Sequence, residues 1–500
     1  MADSFFFRAR RGLSPELEEA RVAIEKIARG YGLDFFETIF EMCDFDEINM
    51  LASYGGFPTR YPHWRWGMEY LEMQKGYEYG LHKIYEMVIN TDPSYAYLLD
   101  NNMMVDQKLV MAHVFGHVDF FKNNLWFAPT NRKMLDQMAN HAVRVRRIIN
   151  EVGQDQVEAW IDICLSLDNL IDPHSLHMPA EAAPAPQQDI DHRLPASDYM
   201  DPYINPPHVL EAERERHRAQ KEQAQGFPAS PQKDVLLFLL QHARMQPWQR
   251  DILQIVRDEA LYFVPQGQTK IMNEGWASYW HTTMMTQDIL TAAELIDYAD
   301  HHSGTVATRP GQLNPYKLGL ELFRHIEERW NKGRFGRDWM DTTDPRHRAS
   351  WDTGAMLGRQ KIFEVRHTHN DITFIDEFLD EEFVREHGLF VWQKDPRTGK
   401  VEVQTEEFKQ VKQQLLFMLS NRGQPRLAVT NANHANRGEL VLRHDYEGLD
   451  IKLEWAELTL GNLARVWGRP VHLETALEGK ATLLSHDGQE FTQSKREEVA

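Results

Sequence analysis

The stretch MVDQKLVMAHVFGHVDFF, residues 104–121, decides the fold of this 500-residue chain. It is apolar on nearly every side, which predicts a buried helix at the centre of a mainly α-helical fold. His113 and His117 lie about 40° apart around such a helix. Asp106 shares their face and can orient one imidazole. Gly116 weakens the helix but leaves space beside both rings.

A histidine pair at this spacing carries little weight alone, because a chain with 23 histidines contains one by chance. The alternative is a pair of core histidines that bond to the backbone or to each other. The buried surroundings of His113 and His117 therefore matter more than their spacing.

A second stretch, MNEGWASY at residues 272–279, supplies a carboxylate. Asn273 is predicted to cap a helix whose first turn holds Glu274, and His281 falls on the same face as Glu274. A buried charge on this aromatic helix needs a partner, although Glu274 can also be explained as a residue attracted by the helix N-terminus. Two imidazoles and a carboxylate are the usual ligands of a catalytic zinc ion. We therefore predict a Zn²⁺ site at His113, His117 and Glu274.

The second stretch also resembles the Asn-Glu-Gly-Phe-Ala-Ser-Tyr segment of gluzincin-type zinc aminopeptidases. That resemblance implies that Glu274 is the third zinc ligand, after the two histidines, and that the helical domain is zincin-like. Two features depart from the pattern. Residues 117 and 274 lie 157 positions apart, and Val114 stands where that family has its general-base glutamate.

A replacement base is predicted on another helix, Pro247 to Phe263. Glu259 projects from the middle of its apolar face, which makes it a candidate general base or additional metal ligand. The alternative is a structural glutamate in a buried ion pair or hydrogen bond. His281 or Tyr316 is predicted to stabilise the oxyanion of the reaction.

Composition excludes several classes of function. The net charge of −20 and a pI near 5.6 argue against binding to nucleic acid or to an anionic membrane surface. The two cysteines, Cys43 and Cys164, fit a reducing cytoplasm. No apolar run is long enough to span a bilayer, and the N-terminus lacks the apolar core of a signal peptide.

The pattern along the chain predicts four regions. Residues 12–172 and 233–385 read as successive helices that form one domain, since the ligand candidates fall in both. Residues 173–232 hold ten of the 23 prolines and a charged run, which favours a mobile or surface-wrapping insertion. Residues 388–490 change to period two and alternate with helices, which predicts a small α+β domain.

Several stretches resemble the SpoVR (stage V sporulation protein R) family: residues 61–64, 88–90, 109–124, 265–281 and 314–319. The resemblance implies a cytoplasmic bacterial protein linked to spore cortex or cell-wall formation and to stress. It also implies association with a PrkA-type serine protein kinase and a von Willebrand A-like protein.

Two functional hypotheses follow. The first is a zinc-dependent hydrolase of a peptide or amide bond, acting on peptidoglycan precursors or a regulatory protein, in which Glu259 activates water. The second is a non-catalytic regulator with a structural metal or polar site that acts with the kinase, which Val114 favours.

Overall fold

The computed structural model describes residues 11–78, 86–178, 200, 205–206, 210–211, 227–296, 298–299, 313–394, 401–405 and 407–495. These residues confirm the mainly α-helical fold with a sheet near the C-terminus. They form two compact units. Unit 1 consists of Met1–Glu158 with Tyr262–Gly423, and unit 2 of Ala159–Leu261 with Gln424–Ala500. The predicted insertion at 173–232 lies mostly outside the described residues, and the predicted domain boundaries stay predictions.

The helices follow in chain order. They are α1 (Pro15–Gly30), α2 (Phe45–Ser53), α3 (Trp64–Glu78), α4 (Met104–Asn123), α5 (Met134–Val152), α6 (Gln154–Leu165), α7 (Val235–His242), α8 (Pro247–Gln268), α9 (Lys270–Met284), α10 (Pro315–Asn331), α11 (Gly336–Asp341), α12 (Pro345–Ala349), α13 (Gly358–Thr368), α14 (Asp371–Phe378), α15 (Glu381–Glu386), α16 (Phe408–Leu419) and α17 (Leu453–Trp467). None of the helices in these ranges combines the length and apolarity that a bilayer crossing needs.

The core of unit 1 is built on three helices, α4, α9 and α10. Helix α4 is buried along almost its whole length, as predicted. A Cβ added at Gly116 would stand 2.7 Å from the Cα of Ala277 on α9, and one added at Gly275 would stand 2.4 Å from the Cα of Gly319 on α10. Glycines at these crossings let the backbones approach closely. Gly116 therefore makes room for α9, whereas its predicted effect on the space beside the imidazoles stays a prediction.

Unit 1 also contains a three-stranded sheet, so the prediction of helix after helix over residues 12–172 was wrong. Its strands are β1 (Thr38–Cys43), β2 (Glu86–Ile89) and β3 (Ser94–Leu99). Strand β3 lies in the middle, parallel to β1 and antiparallel to β2. Five of the six β3 residues are buried, and a strand buried on both faces shows no alternation that sequence reasoning can detect.

The period-two pattern of the C-terminal region is confirmed. Strands β4 (Val391–Lys394) and β5 (Val401–Thr405) pair with each other antiparallel, within unit 1. In unit 2, a five-stranded sheet has the order β10-β9-β8-β7-β6. Its strands are β6 (Leu427–His434), β7 (Glu439–His444), β8 (Val471–Leu477), β9 (Lys480–His486) and β10 (Phe491–Lys495). Helix α17 ends at Gly468, whose φ of 77° is the left-handed conformation that ends helices.

Candidate metal centre

Helices α4 and α9 bring the three predicted ligands together in unit 1. Oε2 of Glu274 lies 3.5 Å from Nε2 of His113 and 3.5 Å from Nε2 of His117. The two imidazoles meet edge to face with their centroids 4.4 Å apart. All three side chains are buried, with 4–6 % of each residue exposed. His117 and Glu274 are 157 residues apart in the sequence, and the packing of α9 on α4 brings them together.

These spacings fit a metal ion. Ligand atoms at the corners of a tetrahedron, each about 2.1 Å from zinc, lie about 3.4 Å from one another. Oε2 of Glu274 is fully buried and has no hydrogen-bond partner among the described residues, although a buried carboxylate oxygen without a partner is costly. Both observations are expected of a site whose atoms are arranged to bind a cation.

Each histidine is held at Nδ1, which leaves Nε2 directed at Glu274. Nδ1 of His113 lies 2.8 Å from Nδ1 of His281, and Nδ1 of His117 lies 2.9 Å from Oδ1 of Asn273. Such contacts fix the ring orientation of metal-binding histidines. Both contacts come from residues of α9, whereas the sequence analysis suggested Asp106 as the residue that orients an imidazole.

Asn273 was also predicted to cap its helix, and this was wrong. Helix α9 begins earlier, at Lys270, and the side chain of its N-cap residue Thr269 makes no capping bond. The backbone N–H groups of Ile271 and Met272 instead donate to the two carboxylate oxygens of Asp371, each at 2.9 Å. Asp371, about one hundred positions later in the sequence, thus accepts hydrogen bonds from the first backbone N–H groups of α9, the helix that carries Glu274.

Glu86 is a fourth acidic or imidazole group at this site, and sequence reasoning missed it. Its Oε1 lies 3.9 Å from Nε2 of His113, and the ligand atoms of Glu86, His113 and His117 all lie within 4.8 Å of one another. Glu86 begins β2, the strand that was also missed. Nothing in the neighbouring family-like stretch at residues 88–90 links Glu86 to the histidines, so only the pairing of β2 with β3 reveals its position.

The electrostatics of the cluster follow from burial and from Glu274. Burial lowers the pKa of His113 to about 4. Burial opposes protonation of His117 as well, but the adjacent Glu274 outweighs it and raises the pKa of His117. Burial acts to raise the pKa of Glu274, yet His117 holds that pKa well below its ordinary value. Burial, reinforced by the charge of Glu274, raises the pKa of Glu86 to about 7.

Three partly exposed residues contact the cluster. Nζ of Lys270 lies 2.5 Å from Oε1 of Glu274, with 58 % of the lysine side chain exposed. The Tyr316 ring stacks on His113 with the ring centroids 6.3 Å apart, and burial together with the nearby Glu274 raises the pKa of the Tyr316 hydroxyl. Glu86 is 20 % exposed. His281, by contrast, lies behind His113 and is 3 % exposed, so Tyr316 is the better placed of the two oxyanion candidates.

Glu259 lies in unit 2, on α8, whereas the cluster lies in unit 1. It is 3 % exposed, and the predicted apolar face around it is buried at Ile252, Ile255 and Val256. The helix and its buried glutamate are confirmed. The role of Glu259 as general base or additional ligand stays a prediction.

Unit 2 holds a second group with ligand-type atoms, His434, Glu439 and His472. In this group both carboxylate oxygens of Glu439 already accept hydrogen bonds. Arg437 donates to Oε1 at 2.6 Å and to Oε2 at 2.9 Å, and His472 lies 2.9 Å from Oε2. Because Arg437 and His472 already engage the carboxylate of Glu439, we interpret this group as an ion-pair network.

Comparison with known proteins agrees with the resemblance noted in the sequence. The family model described as "SpoVR like protein" matches residues 13–424, and the "SpoVR-like C-terminal domain" matches residues 425–478. The chain belongs to the SpoVR family. The division between the two SpoVR models, at residues 424 and 425, lies next to the start of the last segment of unit 2 at Gln424.

A curated relative of this SpoVR-family chain is the "Uncharacterized protein YcgB" of Escherichia coli (strain K12). The two are 29 % identical over 494 residues, covering 90 % of each chain. No solved structure matches the chain. Neither the family descriptions nor the name of this relative states a reaction.

Proposed function

We propose that this SpoVR-family protein is a metal-dependent hydrolase of a peptide or amide bond, with a zincin-like centre that binds one Zn²⁺. The observation that carries the proposal is the cluster of Nε2 of His113, Nε2 of His117 and Oε2 of Glu274 at 3.5 Å. Bound zinc would act as a Lewis acid toward the scissile carbonyl and would make water a stronger nucleophile. The similarity of residues 272–279 to zinc aminopeptidases supports the choice of an amide-type bond.

The remaining roles fall to residues around the ligands. Glu86 reaches Nε2 of His113 at 3.9 Å and is partly exposed, so it is positioned to accept a proton from the attacking water. Tyr316 carries an O–H group beside Glu274 and is suited to donate a hydrogen bond to the carbonyl oxygen as it gains charge. The sequence-based alternative gives the base role to Glu259.

A second candidate function is a regulator whose metal or polar site is structural. Val114, fully buried in α4, is the observation that favours it, because zincins of the aminopeptidase type use a glutamate there. In this case the protein would act in the cytoplasm through a PrkA-type kinase and a von Willebrand A-like partner, in spore cortex or cell-wall formation. Both candidates place the site at His113, His117 and Glu274.

The deciding experiment measures metal content and hydrolysis together. Protein purified without a metal-binding tag is analysed by mass spectrometry for metals and assayed on a library of fluorogenic peptide amides. We expect about one zinc per chain, lost in His117→Ala and Glu274→Ala because a three-ligand site cannot replace a missing ligand. The exposed His347→Ala is the matched control and should keep its zinc.

The outcomes separate the candidates. Hydrolysis that chelation abolishes and zinc restores supports the hydrolase. Zinc at full content with no hydrolysis of any library member supports the structural site and the regulator. Zinc retained by His117→Ala would overturn the centre itself.

A further inference from the structure

A separate pocket in unit 2 has a wall rich in arginine. It has a volume of about 290 Å³ and lies between the end of α7, the connection from β6 to β7 and the end of α17. The residues used below are His242, Arg244, Arg437, Gly438, Trp467 and Arg469, all of which line it. None belongs to the metal centre, and no comparison assigns them a role.

The charge of this pocket is opposite to that of the chain. The protein has 75 acidic residues against 55 lysines and arginines, so acidic side chains outnumber basic ones on average. Arg244, Arg437 and Arg469 instead face one small volume. Within the described ranges Arg244 forms no ion pair, and its side chain is exposed. Three guanidiniums at close quarters repel one another unless an anion joins them.

Two of these guanidiniums are held in position. Nε and Nη2 of Arg437 are fixed by the buried Glu439, which leaves Nη1 of Arg437 for another acceptor. Arg469 donates to the backbone carbonyl of Arg437. A Cβ added at Gly438 would stand 2.6 Å from Nη1 of Arg469, and Gly438 has a φ of 70°. Glycine therefore permits both the turn and the approach of Arg469.

Two uncharged ring side chains complete the wall. The His242 ring packs on Phe238 and Phe227 at 4.7 and 4.8 Å, and burial lowers its pKa, so at neutral pH it offers an N–H without adding charge. The Trp467 indole N–H donates to the carbonyl of Gly438 at 2.9 Å, which fixes that side of the pocket.

We propose that this pocket binds a phosphate monoester. Three guanidiniums against the single carboxylate of Glu439 leave two positive charges, which match the charge of nearly −2 that a phosphate monoester carries at pH 7. Arginine recognises such oxyanions through paired N–H donors, which lysine cannot supply in the same geometry. The phosphate belongs either to a small metabolite or to a phosphorylated side chain.

The test uses the full-length protein in calorimetric titrations with inorganic phosphate, O-phosphoserine, a phosphoserine peptide and its unphosphorylated form. We expect the phosphorylated probes to bind and the unphosphorylated peptide not to bind. Arg244→Gln should weaken binding about 10-fold or more, because it removes a charge-assisted contact. Since Arg244 is exposed and forms no described ion pair, this change should leave the fold intact.

Arg465→Gln is the matched control, because Arg465 is an exposed arginine of α17 that does not line the pocket. It should change affinity by no more than about twofold, as distant surface charges do. Tighter binding of the phosphopeptide than of O-phosphoserine would identify a protein segment as the source, and equal binding a metabolite. No binding of any phosphorylated probe, or an equal loss in Arg244→Gln and Arg465→Gln, would overturn the proposal.

Discussion

Gly116 of α4 faces Ala277 of α9 so closely that a Cβ at position 116 would stand 2.7 Å from the Cα of Ala277. Gly116 directly precedes His117, and Ala277 lies three residues after Glu274, so this contact is adjacent in both helices to the candidate ligands. The distance between the helix backbones therefore sets the 3.5 Å spacing of Glu274 from His113 and His117. The glycine matters for the site although it contributes no ligand.

Gly116→Ala is expected to destabilise the protein and weaken metal binding together. Alanine normally stabilises a helix interior by up to about 1 kcal/mol relative to glycine. Here the added methyl group meets backbone, which cannot move aside as a side chain can, so we expect a loss of about 1–3 kcal/mol in the free energy of unfolding. Urea unfolding and zinc titration provide the two measurements.

Gly67→Ala is the matched control for this substitution. Gly67 lies in α3, and a Cβ there would have no neighbour within 4 Å. It should leave zinc affinity unchanged and stability unchanged or slightly higher. If Gly116→Ala behaves in the same way, the close contact does not position the ligands.

The sequence predicted α4 and pointed to His113, His117 and Glu274 as residues that lie together, because long apolar helices and paired charges leave a clear local pattern. Their role as metal ligands stays a prediction. The sequence did not predict β1, β2 and β3, which are short and partly buried on both faces. Glu86 was missed for the same reason, since it reaches the site only through the pairing of β2 with β3. The contacts of Asn273 and His281 depend on how α9 rotates against α4, which no local pattern reports.

Asn273→Ala tests the orientation of His117. Removing the Oδ1 contact at 2.9 Å frees the imidazole to rotate, and loss of such a contact typically costs about 10–100-fold in metal affinity. Ser278→Ala is the control on the same helix. Ser278 is 1 % exposed and, in the part of the chain that the structure describes, its Oγ has no hydrogen-bond partner. Equal zinc affinities for the two variants would show that Asn273 does not orient the ligand.

Asp371→Ala tests the support of α9. The carboxylate accepts two buried N–H bonds from Ile271 and Met272, and their loss should cost about 2 kcal/mol of stability. Asp376→Ala, an exposed site on the same helix α14, should cost less than about 0.5 kcal/mol. Chemical denaturation compares the two variants. Indistinguishable unfolding midpoints would contradict the capping role of Asp371.

Glu86→Gln and Glu259→Gln distinguish the geometric and the sequence-based candidates for the general base. Glutamine keeps the shape of the side chain but cannot accept the proton. We expect Glu86→Gln to retain zinc and lower the hydrolysis rate by about 10²-fold or more. The sequence-based prediction expects this result from Glu259→Gln instead. A variant that loses zinc identifies its residue as a ligand, and full activity in either variant removes that residue from the base role.

The acid sensitivity of unit 2 should depend on Glu439. Its hydrogen bonds from Arg437, with His472 alongside, lower its pKa to about 2, below the ordinary value of 4.5. A depressed folded-state pKa contributes stability that is present above pH 4.5 and is lost as the pH falls toward 2. The free energy of unfolding of the wild type should therefore exceed that of Glu439→Gln by about 2 kcal/mol at pH 6, and the difference should shrink as the pH falls to 3.

Thr482→Val, at a buried uncharged residue of the same sheet, is the control and should show no such change with pH. A gap between wild type and Glu439→Gln that stays constant from pH 6 to pH 3 would mean that the carboxylate charge does not stabilise this network.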